Sequence, residues 1–177
     1  MHPDPAASAR YLIVAAHNEA ERIGETLDTL AGAFPGAPLL VADDASADGT
    51  SEIALGRGAW VVSRQRSHGK GGNVTAAAEA ALSELESEAT FLLCDADLGG
   101  SAAALGPLIE AVEGGDCDLA VAAFARREGG GFGIAVGYAG RRIEQLSGFR
   151  ATAPISGQRA MRASTLVVAV PLATASA

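Results

Sequence analysis

Cysteine is scarce: the 177-residue chain has only Cys94 and Cys117, too few for a disulfide framework and without the paired spacing of a zinc site. Both sit in or beside apolar strand-like runs, where a free thiol packs as a small hydrophobe. Long hydrophobic stretches are missing too. The longest late run, Leu166 to Ala173, contains Pro171 and falls far short of the roughly 20 residues that span a bilayer. The opening Met1 to Arg10 is polar and contains proline, unlike a secretory signal. A cytoplasmic protein is expected, with peripheral contact at the inner face of a membrane compatible with it. No Gly-x-Gly-x-x-Gly follows the first apolar run, which argues against a dinucleotide site. His68-Gly69-Lys70-Gly71-Gly72 lacks the upstream glycine of a Walker loop, which excludes that class of ATPase. A net charge of -8 and no interleaving of basic with aromatic residues argue against a nucleic-acid partner.

What is present is a chain 49% hydrophobic, enough for one domain with a real core, with no internal repeat and no dividing linker. Short apolar runs alternate with amphipathic stretches, the pattern of βαβ units. This predicts an α/β protein with a mostly parallel sheet and helices on both faces. Strands are expected at Tyr11–Ala15, Leu39–Ala42, Ala59–Ser63, Thr90–Cys94 and Leu119–Ala123. A helix capped by Asn18 should bury Ile23, Leu27 and Leu30. Further helices are expected up to about Leu55, over Lys70–Leu85 with Val74, Ala78, Ala81, Leu82 and Leu85 on one side, over Ser101–Glu113, and from about Ile134 to Leu146. Glu128 to Gly133 reads as a flexible glycine loop, and Pro154-Ile155 as a short extended piece.

Asp95-Ala96-Asp97 ends the fourth predicted strand, where an open α/β sheet binds ligands. Two carboxylates there suit a divalent cation shared with substrate phosphates; an Asp capping the helix near Ser101 would account for them as well. Asp43 and Asp44 end the second strand on the same rim, in a turn whose Asp44, Ser46 and Asp48 are also good cap residues. Several carboxylates on one rim repel each other unless a cation, ligand donors or N-caps satisfy them, and caps need one acid per helix where this rim has more. Lys70, at a glycine-rich helix start, either meets an anion or faces solvent. The charge balance reverses late in the chain. Arg126, Arg127, Arg141, Arg142, Arg150, Arg159 and Arg162 face only Glu128 and Glu144, which suits an anionic ligand or a solvated helical face.

Five segments taken in order resemble family 2 glycosyltransferases of the GT-A fold: residues 12–19, residues 41–50 with Asp43-Asp44, Gly69-Lys70-Gly71, residues 93–98 with Asp95-Ala96-Asp97, and Ser156-Gly157-Gln158-Arg159-Ala160. The similarity is greatest to the group that includes dolichyl-phosphate mannose synthases and glucosyl-3-phosphoglycerate synthases. It implies a nucleotide-diphospho-sugar transferase fold in a single domain over 1–177, with a nucleotide-sugar half at 9–123 and a partial acceptor half at 124–177. By the resemblance, the stretch from Ala15 to Glu19, with Ala15, Ala16, His17, Asn18 and Glu19, borders the nucleotide, and Asp43 and Asp44 contact base or ribose. Lys70 approaches the phosphates. Asp95 and Asp97 hold Mg2+ or Mn2+ against the diphosphate beside Ala96. Gly157, Gln158 and Arg159 line the acceptor or diphosphate side, with Asp97 and Arg159 as the catalytic pair.

Breaking a sugar–diphosphate bond releases negative charge on the leaving group, which a cation and basic side chains stabilise. A hydroxyl acceptor needs a general base, and only Glu128 and Glu144 are late candidates. A phosphorylated acceptor, such as a polyprenyl phosphate, needs no strong base because its second pKa is about 6. The expected activity is transfer of a hexose from a UDP- or GDP-sugar. By the resemblance, a further strand and helix that close the acceptor side are expected well beyond the Ser-Gly-x-Arg segment; the apolar, alanine-rich ending Leu166 to Ala177 does not read as that continuation, so a shortened, inactive nucleotide-binding domain is the alternative. Gly99-Gly100 stands where some relatives have a further polar ligand. A haloacid-dehalogenase-like phosphotransferase using Asp95 as nucleophile fits less well, because Leu98 and Gly99 stand where that class has Thr or Val.

Overall fold

The computed structural model describes residues 10–64, 66, 69–85, 88–123 and 133–172. The elements run β1 Arg10–Ala16, α1 Ile23–Ala33, β2 Leu39–Asp43, α2 Thr50–Gly56, β3 Trp60–Ser63, α3 Gly69–Ser83 and β4 Thr90–Asp95. There follow a 3-10 segment Gly99–Leu105, α4 Gly106–Glu113, β5 Leu119–Val121, α5 Gly133–Ser147, β6 Arg159–Arg162 and α6 Ala163–Ala169. His68, Arg126, Arg127, Glu128 and most of the expected glycine loop lie outside the described residues.

The sheet order is β3-β2-β1-β4-β6-β5. The first four strands in that order are parallel, and β6 runs antiparallel between β4 and β5. Alternation along β1 divides the core. Leu12 and Val14 pack with Ile23, Leu27 and Leu30 of α1, Ala54 of α2, and Ile109 and Val112 of α4. Tyr11 and Ile13 face the other way, onto Val74, Ala77, Ala78 and Ala81 of α3 and Leu166 of α6. Burial on both faces is why β1 and β4 read as continuous apolar runs rather than alternating ones. Tyr11 and Phe91, register neighbours on β1 and β4, stack with ring centroids 5.2 Å apart. Because β2 lies on one side of β1 and β4 on the other, the chain changes direction between β1 and β4, where open sheets leave a crevice at the strand ends.

Three elements differ from expectation. α1 starts at Ile23 and not after Asn18, because Asn18 holds a left-handed φ of 54° and spends its polar groups elsewhere. The helix expected over Ser101–Glu113 is two pieces, with Pro107 in the first turn of α4; proline lacks the N–H a helix interior uses but is well placed at its start. Pro154-Ile155 lies in a turn, and the extended strand is β6, four residues later. Among the described residues no helix is long and apolar enough to cross a membrane.

Candidate nucleotide-diphosphate site

A cleft of about 270 Å³ opens at the carboxyl ends of β1, β2 and β4. Ala15, Ala16, His17 and Glu19 line it after β1, and Ala42 and Asp44 at the end of β2. Asp95, Ala96 and Asp97 line it at the end of β4, and Lys70 and Asn73 from the first turns of α3.

Asp95 is held from two sides. Its Oδ1 accepts a short hydrogen bond from Lys70 Nζ, and its Oδ2 accepts from Gln158 Nε2 at 2.9 Å. Gly157 completes this contact by having no side chain: a Cβ there would lie 2.6 Å from Asp95 Oδ2 and 2.7 Å from Lys70 Nζ. Asp97 is more open, with Arg22 Nη1 3.6 Å from its Oδ2. Arg22 also forms an ion pair with Glu19, Nη2 to Oε2 at 2.6 Å. The turn after β4 is fixed from α1. Thr26 Oγ1 donates to Ala96 O at 2.7 Å and accepts from Gly99 N at 2.8 Å, while Gly100 N donates to Glu25 Oε1 at 3.1 Å.

The opposite wall is a clasp between two loops. Asn18 N donates to Ser46 Oγ at 2.8 Å and Ala47 N to Asn18 Oδ1 at 2.9 Å; Glu19 N donates to Thr50 Oγ1 at 2.8 Å and Ala20 N to Asp48 Oδ2 at 3.1 Å. Hydrogen bonds from Thr50 and then Ala20 hold the Asp48 carboxyl below its ordinary pKa. Asp43 is buried and accepts from the Ser46 and Ser51 hydroxyls and from Ser46 N. His17 Nδ1–H donates to the Asp44 carbonyl at 2.7 Å, closing the clasp behind the cleft.

Of the residues named from the sequence, the cleft gathers Ala15, Ala16, His17, Glu19, Asp44, Lys70, Asp95, Ala96 and Asp97. Gly157 and Gln158 reach it through Asp95. Asn18 and Asp43 are outside the lining and tie the loops together. Arg159, on β6, donates to the Ser156 carbonyl; burial lowers its pKa and the charge of Asp95 opposes that. Arg162 does not join Arg159 at the site: it lies at the far end of β6, beside Thr90, and bonds Asp118 and the Val112 carbonyl. Ala42 and Asn73 line the cleft and were not singled out from the sequence. For Asn73 the available signal was a polar residue on the buried face of an alanine-rich helix, three positions after Lys70 and four before Ala77.

The donor set fits a hard divalent ion. Asp97 and Asp95 supply carboxylate oxygens, the ligand type of Mg2+ and Mn2+. Among the described residues no group of three acidic, histidine or cysteine side chains could enclose an ion, so the remaining ligands would have to come from bound phosphate or water.

The sequence profile described as "Glycosyl transferase family 2" matches residues 11–166. The chain belongs to this family and has its GT-A fold. Among solved structures, it is similar to glucosyl-3-phosphoglycerate synthase from Mycobacterium tuberculosis in complex with phosphoglyceric acid, with a TM-score of 0.69 and 23% identity over 89% of this chain and 58% of that one. The same synthase with Mn2+, uridine-diphosphate-glucose and phosphoglyceric acid gives a TM-score of 0.69 at 22% identity, again over 89% of this chain and 57% of the other. A further structure of that enzyme gives 0.66 at 24% identity, over 89% and 59%. The chain thus spans less than two thirds of the length of these neighbours. No curated protein matches the sequence.

Proposed function

We propose that this chain binds a nucleoside-diphosphate sugar, a UDP- or GDP-hexose, with Mg2+ or Mn2+ and transfers the sugar to a phosphorylated acceptor. The observation that carries this is the meeting of Asp44, Lys70, Asp95 and Asp97 in one cleft where the strand order reverses between β1 and β4. The structural neighbour crystallised with Mn2+, uridine-diphosphate-glucose and phosphoglyceric acid supports the same reading. The ion would neutralise charge on the leaving diphosphate. In this reading Asp97 is the primary metal ligand and Asp95 the second. Lys70 exchanges its carboxylate partner for phosphate oxygens, and Arg159, close enough to feel the Asp95 charge, favours an anionic acceptor. Residues 9–123 form the donor side and 124–177 part of the acceptor side, where a small phosphorylated acid or a lipid-linked phosphate would bind. Asp95 is a poor nucleophile for a dehalogenase-like reaction, since both its oxygens are engaged.

Calorimetric titration of UDP and GDP, with and without Mn2+, tests the donor site on the wild type and on Asp97→Ala. Mn2+-dependent binding that the substitution weakens by at least about tenfold is expected, each tenfold being about 1.4 kcal/mol. Equal affinity in both proteins would remove Asp97 from the site. Incubation with the sugar nucleotide and a panel of phosphorylated acceptors then separates an active transferase from a domain that only binds nucleotide.

A further inference from the structure

Asn73 is 1% exposed, lines the cleft, and has neither its carboxamide oxygen nor its nitrogen hydrogen-bonded. It sits one turn beyond Lys70 in α3, where that helix packs against the ends of β1 and β2 beside Ala42. Every local consideration disfavours it. Asparagine is a weaker helix former than the alanines around it. A buried amide without partners has lost its water and gained nothing in return. Such a conflict between a residue and its fold marks sites kept for a ligand.

We propose that Asn73 reads the nucleobase, its carboxamide pairing side by side with the carbonyl and ring N–H of a lactam base, uracil or guanine. This rests on the reading of the cleft as a nucleoside-diphosphate site. A phosphate offers acceptors only and would leave the carboxamide oxygen unmatched, whereas a base edge presents an acceptor and a donor at the spacing of a carboxamide. Ala15, Ala16 and Ala42 give the cleft small apolar surfaces against which a flat ring fits. The carboxamide alone can turn over to suit either base pattern. The choice of the lactam pattern follows from the donor proposed above, a UDP- or GDP-hexose, whose base sets a ring N–H beside a carbonyl.

The test compares wild type with Asn73→Ala in calorimetric titrations with Mn2+ and UDP, GDP, CDP, ADP or pyrophosphate, together with the melting temperature of the free protein. In the wild type, UDP or GDP should bind more tightly than CDP and ADP. In Asn73→Ala that preferred nucleotide should weaken by about tenfold, the worth of one to two hydrogen bonds, with pyrophosphate unchanged. The melting temperature should rise by about 2–4 °C, since the variant removes a buried unpaired amide and adds a better helix former. Loss of stability together with all ligands would make Asn73 a structural residue and overturn the proposal. So would unchanged base preference. If the wild type binds neither nucleotide nor pyrophosphate, the site reading itself fails, and the base-reading role with it; the pyrophosphate arm separates that failure from an error about Asn73 alone.

Discussion

Cys94 stands at the end of the buried part of β4, one residue before the acidic turn, and its environment gives it a distinctive titration. Burial, reinforced by the charges of Asp95 and Asp97 and opposed by Lys70, lifts its pKa from 9.0 to about 12. Below pH 9 the thiol is protonated in the folded and the unfolded chain alike and adds no pH dependence. Between 9 and about 12 the unfolded chain ionises and the folded one does not, so stability falls as pH rises through that window. The slope from this group is about 1.4 kcal/mol per pH unit. Urea unfolding from about pH 8 to about pH 11 should show the decline in the wild type and a shallower one in Cys94→Ala. Equal slopes would mean the thiol is open to solvent. That Cys94 packs as a hydrophobe was legible from the apolar run around it. Which of Asp43 and Asp44 faces the cleft was not: neighbours at a strand end point to opposite sides, and Asp43 is claimed by Ser51, a partner on the following helix.

Between elements, the acidic turn after β4 is held by a helix far away in sequence. Thr26 of α1, 0% exposed, bridges Ala96 O and Gly99 N with one hydroxyl, across separations of 70 and 73 residues. Valine has nearly the same shape without the hydroxyl, so Thr26→Val leaves two backbone groups without this partner. Each such group costs about 1–3 kcal/mol when buried, and a loss near 2 kcal/mol is expected because Gly99 is only partly covered. Denaturant titration measures it, and Mn2+-dependent UDP binding should weaken alongside as Asp97 loses its fixed position. Unchanged stability would show that the turn is held by its own backbone. The stripe Ile23, Leu27, Leu30 revealed α1 in the sequence, because helical periodicity is local information. Thr26 carried no such mark, as its partners are backbone atoms brought near only by the fold. The same holds for the start of α1, where Asn18 satisfied every rule for a cap but is claimed by Ser46 and Ala47 of a neighbouring loop.

At the scale of the whole molecule, the parallel half of the sheet was legible because its strands are long apolar runs, whereas β6 is four residues with arginine at each end and is defined by pairing with β4. That pairing is what carries Gly157 and Gln158 to Asp95, and it shapes how the site should handle a metal. Asp95 is shared between Lys70 of α3 and Gln158, the residue before β6, leaving Asp97 as the more available carboxylate. Metal and diphosphate should therefore bind as a pair: phosphate draws Lys70 away, Asp95 is released to the ion, and the ion supplies charge the phosphates need. Linkage makes this reciprocal, so the factor by which UDP tightens Mn2+ must equal that by which Mn2+ tightens UDP. Calorimetry in both orders should give the same coupling, about tenfold or more, or about 1.4 kcal/mol. Lys70→Ala separates the two contributions. With the ammonium gone, Asp95 is open before any nucleotide arrives, so Mn2+ alone should bind more tightly than to the wild type, while UDP without metal binds less tightly. A variant that binds free Mn2+ no better than the wild type would show that Lys70 does not compete with the ion for Asp95.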